Sequence, residues 1–167
     1  AGLCPITEAS LGDGIFDGDR FLSAGGTIGV GSDSNIRISL AEEFRQMEYS
    51  QRLRDRARSV LALPGGSTGR RLIDAVTQGG AQALGRDSGA IAEGKLADLV
   101  ALDGAATDLI GRSGDAALDT WVFVSGDRLV QDVWSAGRHV VTDGRHIARD
   151  AITGRYRDCL TRLAQVI

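Results

Sequence analysis

The chain has 167 residues, 43% of them apolar and 25% charged, and a single domain of that size buries about two-thirds of its unfolded surface. Mean hydropathy is −0.06 and no apolar run approaches the roughly 20 residues of a membrane span, which excludes a spanning helix. With a net charge of −3 and arginines interspersed among acidic residues, nothing suggests a surface built to neutralise phosphates, so neither nucleic acid nor membrane is an expected partner.

In chain order, Asp17 to Ala24 suits a short helix. Gly26 to Asp33 (GTIGVGSD) sets Ile28 and Val30 between glycines ahead of a polar cluster, the pattern of a short buried strand opening into a loop. Ser39-Leu40-Ala41-Glu42 is a capping box; Leu40, Phe44, Met47, Leu53, Ala57, Val60 and Leu61 continue at helical spacing and predict a helix up to Pro64. A second helix is predicted from about Gly69 to Leu84, with Gly85 closing it. Gly79 and Gly80 inside it either weaken the helix or mark a close packing contact.

Beyond Gly85 the texture changes. Leu96 to Leu102, Trp121 to Val124, Val130 to Trp134 and Arg138 to Thr142 read as short antiparallel strands, with Gly137 turning the last two into a hairpin and Asp143-Gly144 ending it. Ile152, Tyr156, Cys159, Leu160 and Leu163 share one stripe of a terminal helix, which predicts core packing for Cys159. Strand–helix units, then hairpins, then a helix are hard to close into one core. A (β/α)8 barrel alone needs about 250 residues, so a barrel-like first half holds only its last strands.

Chemistry concentrates at Gly31-Ser32-Asp33-Ser34-Asn35. A carboxylate at the C-terminal end of a buried parallel strand can ligate a divalent metal or accept a proton, but an Asp in a Ser- and Asn-rich turn more often caps backbone N–H groups, and the spacing alone favours that reading. Cys4 precedes Pro5 and has no neighbouring histidine, which favours a structural thiol over a nucleophile. The two cysteines have neither disulfide nor metal spacing, as expected of a reducing cytoplasm. His139 and His146 need not converge, and surface or packing roles outweigh a metal site there. Arg52, Arg54, Arg56 and Arg58 fall on several sides of a helix, which favours a solvated or subunit-contact surface over an anion site. No secretory signal is visible, and a chain opening at Ala1 reads as though entered in its middle.

Several stretches together carry a family resemblance. Gly2-Leu3-Cys4-Pro5 with Thr7-Glu8-Ala9, Leu11-Gly12-Asp13-Gly14-Ile15-Phe16, Gly31-Ser32-Asp33-Ser34, and Glu48-Tyr49 with Gln51-Arg52-Leu53 resemble the end of the formimidoylglutamate deiminases. Gly79 to Gly85, Gly94-Lys95 with Ala97-Asp98-Leu99-Val100, Gly137-Arg138 and Gly144-Arg145-His146 continue it. The Gly-Lys-x-Ala-Asp-Leu-Val stretch and the strand-end Ser-Asp are shared across the amidohydrolase superfamily. Ile6 and Ser10 depart from the expected Thr and Asn.

The resemblance implies an α/β fold: the last strand–helix units of a (β/α)8 metal-dependent hydrolase barrel in residues 1–88, part of a small β-sandwich in 89–147, and a C-terminal helix in 148–167. It implies one divalent metal, usually zinc, held by an His-x-His pair, a further histidine and the last strand's aspartate. Only that aspartate is present, as Asp33, in the roles of metal ligand and catalytic proton acceptor. Glu8 and Asp13 are implied to face the mouth of the site as candidate substrate-binding residues, with turn capping as the alternative. The implied reaction converts N-formimidoyl-L-glutamate to N-formyl-L-glutamate and ammonia, a step of histidine breakdown, in a cytoplasmic homodimer acting on a small-molecule substrate. This chain alone is expected to be inactive and to retain no metal. The rivals are another deaminase of the superfamily, acting on a nucleobase-type ring, and a non-catalytic chain that complements another polypeptide.

Overall fold

The computed structural model describes residues 1–34 and 37–166, so Asn35 of the polar cluster lies outside the described residues. β1 (Gly2–Leu3) and β2 (Gly29–Val30) run parallel in the register Gly2 to Gly29 and Leu3 to Val30. Between them lie α1 (Pro5–Leu11) and α2 (Gly18–Ser23). α1 was not expected as a helix. Proline at its first position costs no hydrogen bond there, and Gly12 ends it at φ 76°, a left-handed conformation that glycine adopts freely.

α3 (Leu40–Asp55) begins as its sequence predicts, with Ser39 Oγ accepting from Glu42 N at 3.3 Å. The reciprocal half of the box is absent, because the Glu42 carboxylate accepts instead from Arg37 Nε at 2.7 Å. The helix stops at Asp55, well short of Pro64, with Arg56 and Ser59 at φ 54° and 52°. The cause is Glu48. Its carboxylate accepts from Val60 N at 3.0 Å and Leu61 N at 2.9 Å, folding residues 56–61 back along the helix and burying Leu61.

The buried face of α3 is accordingly part polar. Glu43, Glu48 and Gln51 are buried beside Ala41, Phe44 and Met47, whereas Leu40 and Leu53 are exposed. Each polar residue holds a neighbouring segment: Glu43 takes Ile6 N in the first turn of α1, Glu48 takes Val60 and Leu61, and Gln51 donates to Phe16 O at 2.8 Å and accepts from Gly18 N. Arg52 completes the Glu48 site at 2.6 Å, its guanidinium over the stacked rings of Tyr49 and Phe123. Glu48→Ala would strand two backbone N–H groups and leave Arg52 unpaired; a loss of about 3 kcal/mol is expected in urea denaturation.

α4 (Thr68–Ala83) is capped by Ser67, whose Oγ accepts from Arg70 N at 2.9 Å and donates to Asp119 at 2.8 Å. Its two glycines mark a contact. An added Cβ at Gly79 would lie 2.0 Å from Ile28 O, and one at Gly29 would lie 3.5 Å from the Gly80 Cα, so helix and strand meet backbone to backbone.

The run Trp121 to Val124, expected as a strand, is instead a π-helical turn (Trp121–Ser125) continuing α5 (Gly114–Thr120). Its β-branched and aromatic composition suits a strand, but packing overrides propensity: Trp121 and Val122 are buried, and Trp121 meets Phe44 edge-on at 6.3 Å. Arg45 donates to the Val122 carbonyl from Nε and Nη2 at 3.0 and 2.8 Å. Leu109, Trp121, Val122 and Leu129 thus share one core with Leu3, Ile28, Phe44 and Leu72 across residue 88.

The antiparallel half is present as a four-stranded sheet in sequential order: β3 (Leu99–Leu102), β4 (Val130–Ser135), β5 (Arg138–Thr142) and β6 (Arg145–His146). Ala136 and Gly137, both at positive φ, turn β4 into β5, and Asp98 holds that turn by accepting from Ala136 N at 2.7 Å. This gives the Ala-Asp-Leu-Val motif a structural role. Asp143-Gly144 does not end the hairpin but turns it into β6. α6 (Arg149–Leu163) carries the expected stripe, yet none of its residues is buried and Cys159 is exposed. Core packing of Cys159 is thereby corrected: the stripe is amphipathic, but no element among the described residues covers it. No helix among those residues is long and apolar enough to cross a membrane.

Candidate functional site

The C-terminal ends of β1 and β2 lie side by side, and the chemistry-bearing residues gather there. Asp33 follows β2 by three residues, exposed, at φ 43°. Asp tolerates that left-handed conformation better than most residues because of its short polar side chain. Cys4, directly after β1, is close enough to Asp33, Glu8 and Glu43 for their charges to act on its thiol. Burial first, and then those three carboxylates, push that thiol above its usual range, while a hydrogen bond from the Gly31 backbone works the other way. A thiol so shifted stays protonated at neutral pH, as befits a structural cysteine.

Glu8 and Asp13 are placed differently from each other. Glu8 lies in the first turn of α1, and its Oε1 accepts from Cys4 N at 2.7 Å, the reach-back half of a helix cap. It also lines a depression with Leu3, Pro5, Ile15, Gln46 and Met47, of which Asp33 is not a lining residue. Asp13 is exposed just past the end of α1, its backbone N–H bonded to the Glu8 carbonyl at 3.0 Å.

Two residues of this region carried no local signal of function. Glu43 reaches from α3 to accept from Ile6 N at 2.8 Å, is 2% exposed, and leaves Oε1 without a partner among the described residues. Burial is the main reason its carboxyl is raised above the ordinary range; the Ile6 hydrogen bond opposes that, and Glu8 and Glu42 add to it. Its spacing to Met47 and Gln51, four and eight residues on, was the available clue that it shares their buried face. Thr7 is 3% exposed on α1 and crosses to the Asp33 turn, its hydroxyl 2.9 Å from Ser34 Oγ and 3.3 Å from Ser32 O.

The remaining candidates stay apart. His139 stacks on Trp134 at 4.5 Å and bonds Asp132 at 2.7 Å, whereas His146 Nδ1 accepts from Ala148 N at 3.1 Å. Arg54 pairs with Asp55 and Asp17, and Arg56 and Arg58 lie beyond the end of α3 rather than on its sides. Among the described residues no group of three or more His, Cys, Asp or Glu side chains could hold a metal ion. Asp33 fits the part of a single ligand, an exposed oxygen donor at a strand end. Alone it falls short of the three or more protein ligands a catalytic zinc requires.

The amidohydrolase family profile matches residues 1–140. Formimidoylglutamate deiminase of Pseudomonas aeruginosa is 52% identical over 151 residues, 90% of this chain and 33% of that protein. A 5-methylthioadenosine/S-adenosylhomocysteine deaminase of Natronomonas pharaonis is 34% identical over 60% of this chain and 22% of its own length. Among solved structures, an amidohydrolase from Brucella melitensis superposes with a TM-score of 0.90 at 47% identity, covering 98% of this chain and 36% of that one. A zinc-bound adenosine deaminase from Xanthomonas campestris gives 0.82 at 24% identity over 98% of this chain and 37% of that one, a likeness of fold. The chain therefore spans about a third of the length of these proteins. From its profile match and its parallel strand–helix unit with an antiparallel sheet, the chain belongs to the amidohydrolase family.

Proposed function

We propose that this chain acts as the C-terminal portion of a metal-dependent amidohydrolase that hydrolyses N-formimidoyl-L-glutamate to N-formyl-L-glutamate and ammonia. The observation that carries the reading is the 52% identity with the Pseudomonas aeruginosa deiminase over 90% of the chain. Zinc in the Xanthomonas campestris structure supports zinc as the metal. Asp33 would be one of its ligands, the others coming from a segment outside this chain. When bound, the metal supplies a water of lowered pKa.

In the reaction, water adds to the amidine carbon, the carbon–nitrogen bond breaks, and the nitrogen leaves as ammonia. A carboxylate oxygen of Asp33 would hold the proton given up by the attacking water and pass it to the departing nitrogen. Glu8 and Asp13, on the turns around α1, would border the approach to that carbon. Glu8 already spends one oxygen on the Cys4 N–H, which leaves the other for substrate.

Ammonia release tests the reading. The complete polypeptide, loaded with zinc, is expected to release ammonia from N-formimidoyl-L-glutamate, and the 167-residue chain alone to release none and to hold well under one zinc by elemental analysis. Turnover of S-adenosylhomocysteine in place of the amidine would favour the second group of relatives. Activity or a tightly held ion in the isolated chain would overturn the division of the site between two segments.

A further inference from the structure

We propose that Thr7 is the positioning residue for Asp33, holding the Ser32 carbonyl before it and the Ser34 hydroxyl after it so that its carboxylate is presented at the end of β2. The proposal rests on the reading of Asp33 as a metal ligand. A hydroxyl has one proton. Thr7 Oγ1 therefore donates to the Ser32 carbonyl at 3.3 Å while accepting from the Ser34 hydroxyl at 2.9 Å, the one assignment that satisfies both contacts. These partners stand immediately before and after Asp33, whose φ of 43° lies in the left-handed region.

Thr7 is placed on a fixed support. The first turn of α1 is held by Glu43, which takes Ile6 N, and by Glu8, which takes Cys4 N. The C-terminal end of β2 is held against β1 by Gly31 N donating to Leu3 O at 3.0 Å. A buried helical threonine commonly returns its proton to a carbonyl of its own helix. The hydroxyl of Thr7 crosses 25 and 27 residues of sequence instead. Partners that orient a metal ligand in this way are typically worth about ten- to a hundredfold in metal affinity or activity.

The test compares Thr7→Val, Thr7→Ser and Asp33→Asn in the complete polypeptide, with zinc affinity read by chelator competition beside kcat, KM and Tm. Thr7→Val keeps the shape and removes the hydroxyl. It is expected to weaken zinc about tenfold and lower kcat with little change in KM or in the apo-protein Tm, and Thr7→Ser is expected to restore both. Wild-type zinc affinity in Thr7→Val while Asp33→Asn loses zinc overturns the positioning role alone, as does a Thr7→Ser variant no better than Thr7→Val. Wild-type zinc affinity in Asp33→Asn overturns the ligand reading and the proposal with it. If Thr7→Val fails to fold, Ser34→Ala removes half the bridge from an exposed position: a smaller loss of zinc affinity supports the proposal, and an unchanged affinity overturns it.

Discussion

In the complete polypeptide, Asp33→Asn is expected to lower turnover at least about a hundredfold while leaving the fold intact. The substitution separates the two roles open to a strand-end aspartate. Asn is nearly equivalent to Asp as a cap and enters the left-handed region as readily, so a turn residue at φ 43° would tolerate the change. Asn cannot carry the negative charge that ligates a metal, nor receive a proton from the attacking water. Acid–base contributions of that kind are commonly worth a hundredfold to ten-thousandfold. Asp33 is exposed, so circular dichroism and Tm should match the parent protein. Near-parental turnover with unchanged zinc content would make Asp33 a turn residue and end its assignment to the site.

The position of Asp33 just past a strand end was legible from two signals: Ile28 and Val30 set between glycines, and the polar cluster that follows them. Where local pattern and tertiary packing agree, the reading held, as in α2, α4, the β4–β5 turn and the close approach at Gly79. Where they conflict, packing won. Glu43 and Glu48 look like solvent-facing acids by residue type, yet they are buried because segments outside α3, the first turn of α1 and residues 60–61, supply the N–H groups they need. The same Glu48 ends α3 early, which no periodicity before Pro64 reveals. Trp121 to Val124 has strand composition and a helical fate. The bridge from Thr7 to the Asp33 turn joins residues 25 and 27 apart, and only the paired ends of β1 and β2 bring them together.

The second large effect concerns the support behind that strand. Gly79→Ala is expected to destabilise the protein by at least about 2 kcal/mol, while Gly80→Ala, one residue on, is expected to be neutral or to stabilise by up to about 1 kcal/mol. Helix propensity favours alanine at both positions to the same degree, so the difference isolates packing. At Gly80 an added Cβ meets nothing within 4 Å. At Gly79 it would lie 2.0 Å from the Ile28 carbonyl oxygen and 2.7 Å from its carbon. Backbone atoms cannot rotate aside as a flexible side chain can. β2 is also held on its other edge, where Gly29 N bonds Ala1 O at 2.9 Å and Gly31 N bonds Leu3 O. To admit the methyl group, either α4 withdraws from the core that Leu72 and Val76 fill, or β2 shifts and carries Asp33 with it. Overpacking of this kind typically costs about 1–3 kcal/mol, occasionally more. Paired urea denaturation of the two variants checks the contrast. Equal stabilities would mean that helix and strand separate freely at this crossing, and that the glycine pair is not what sets the position of β2.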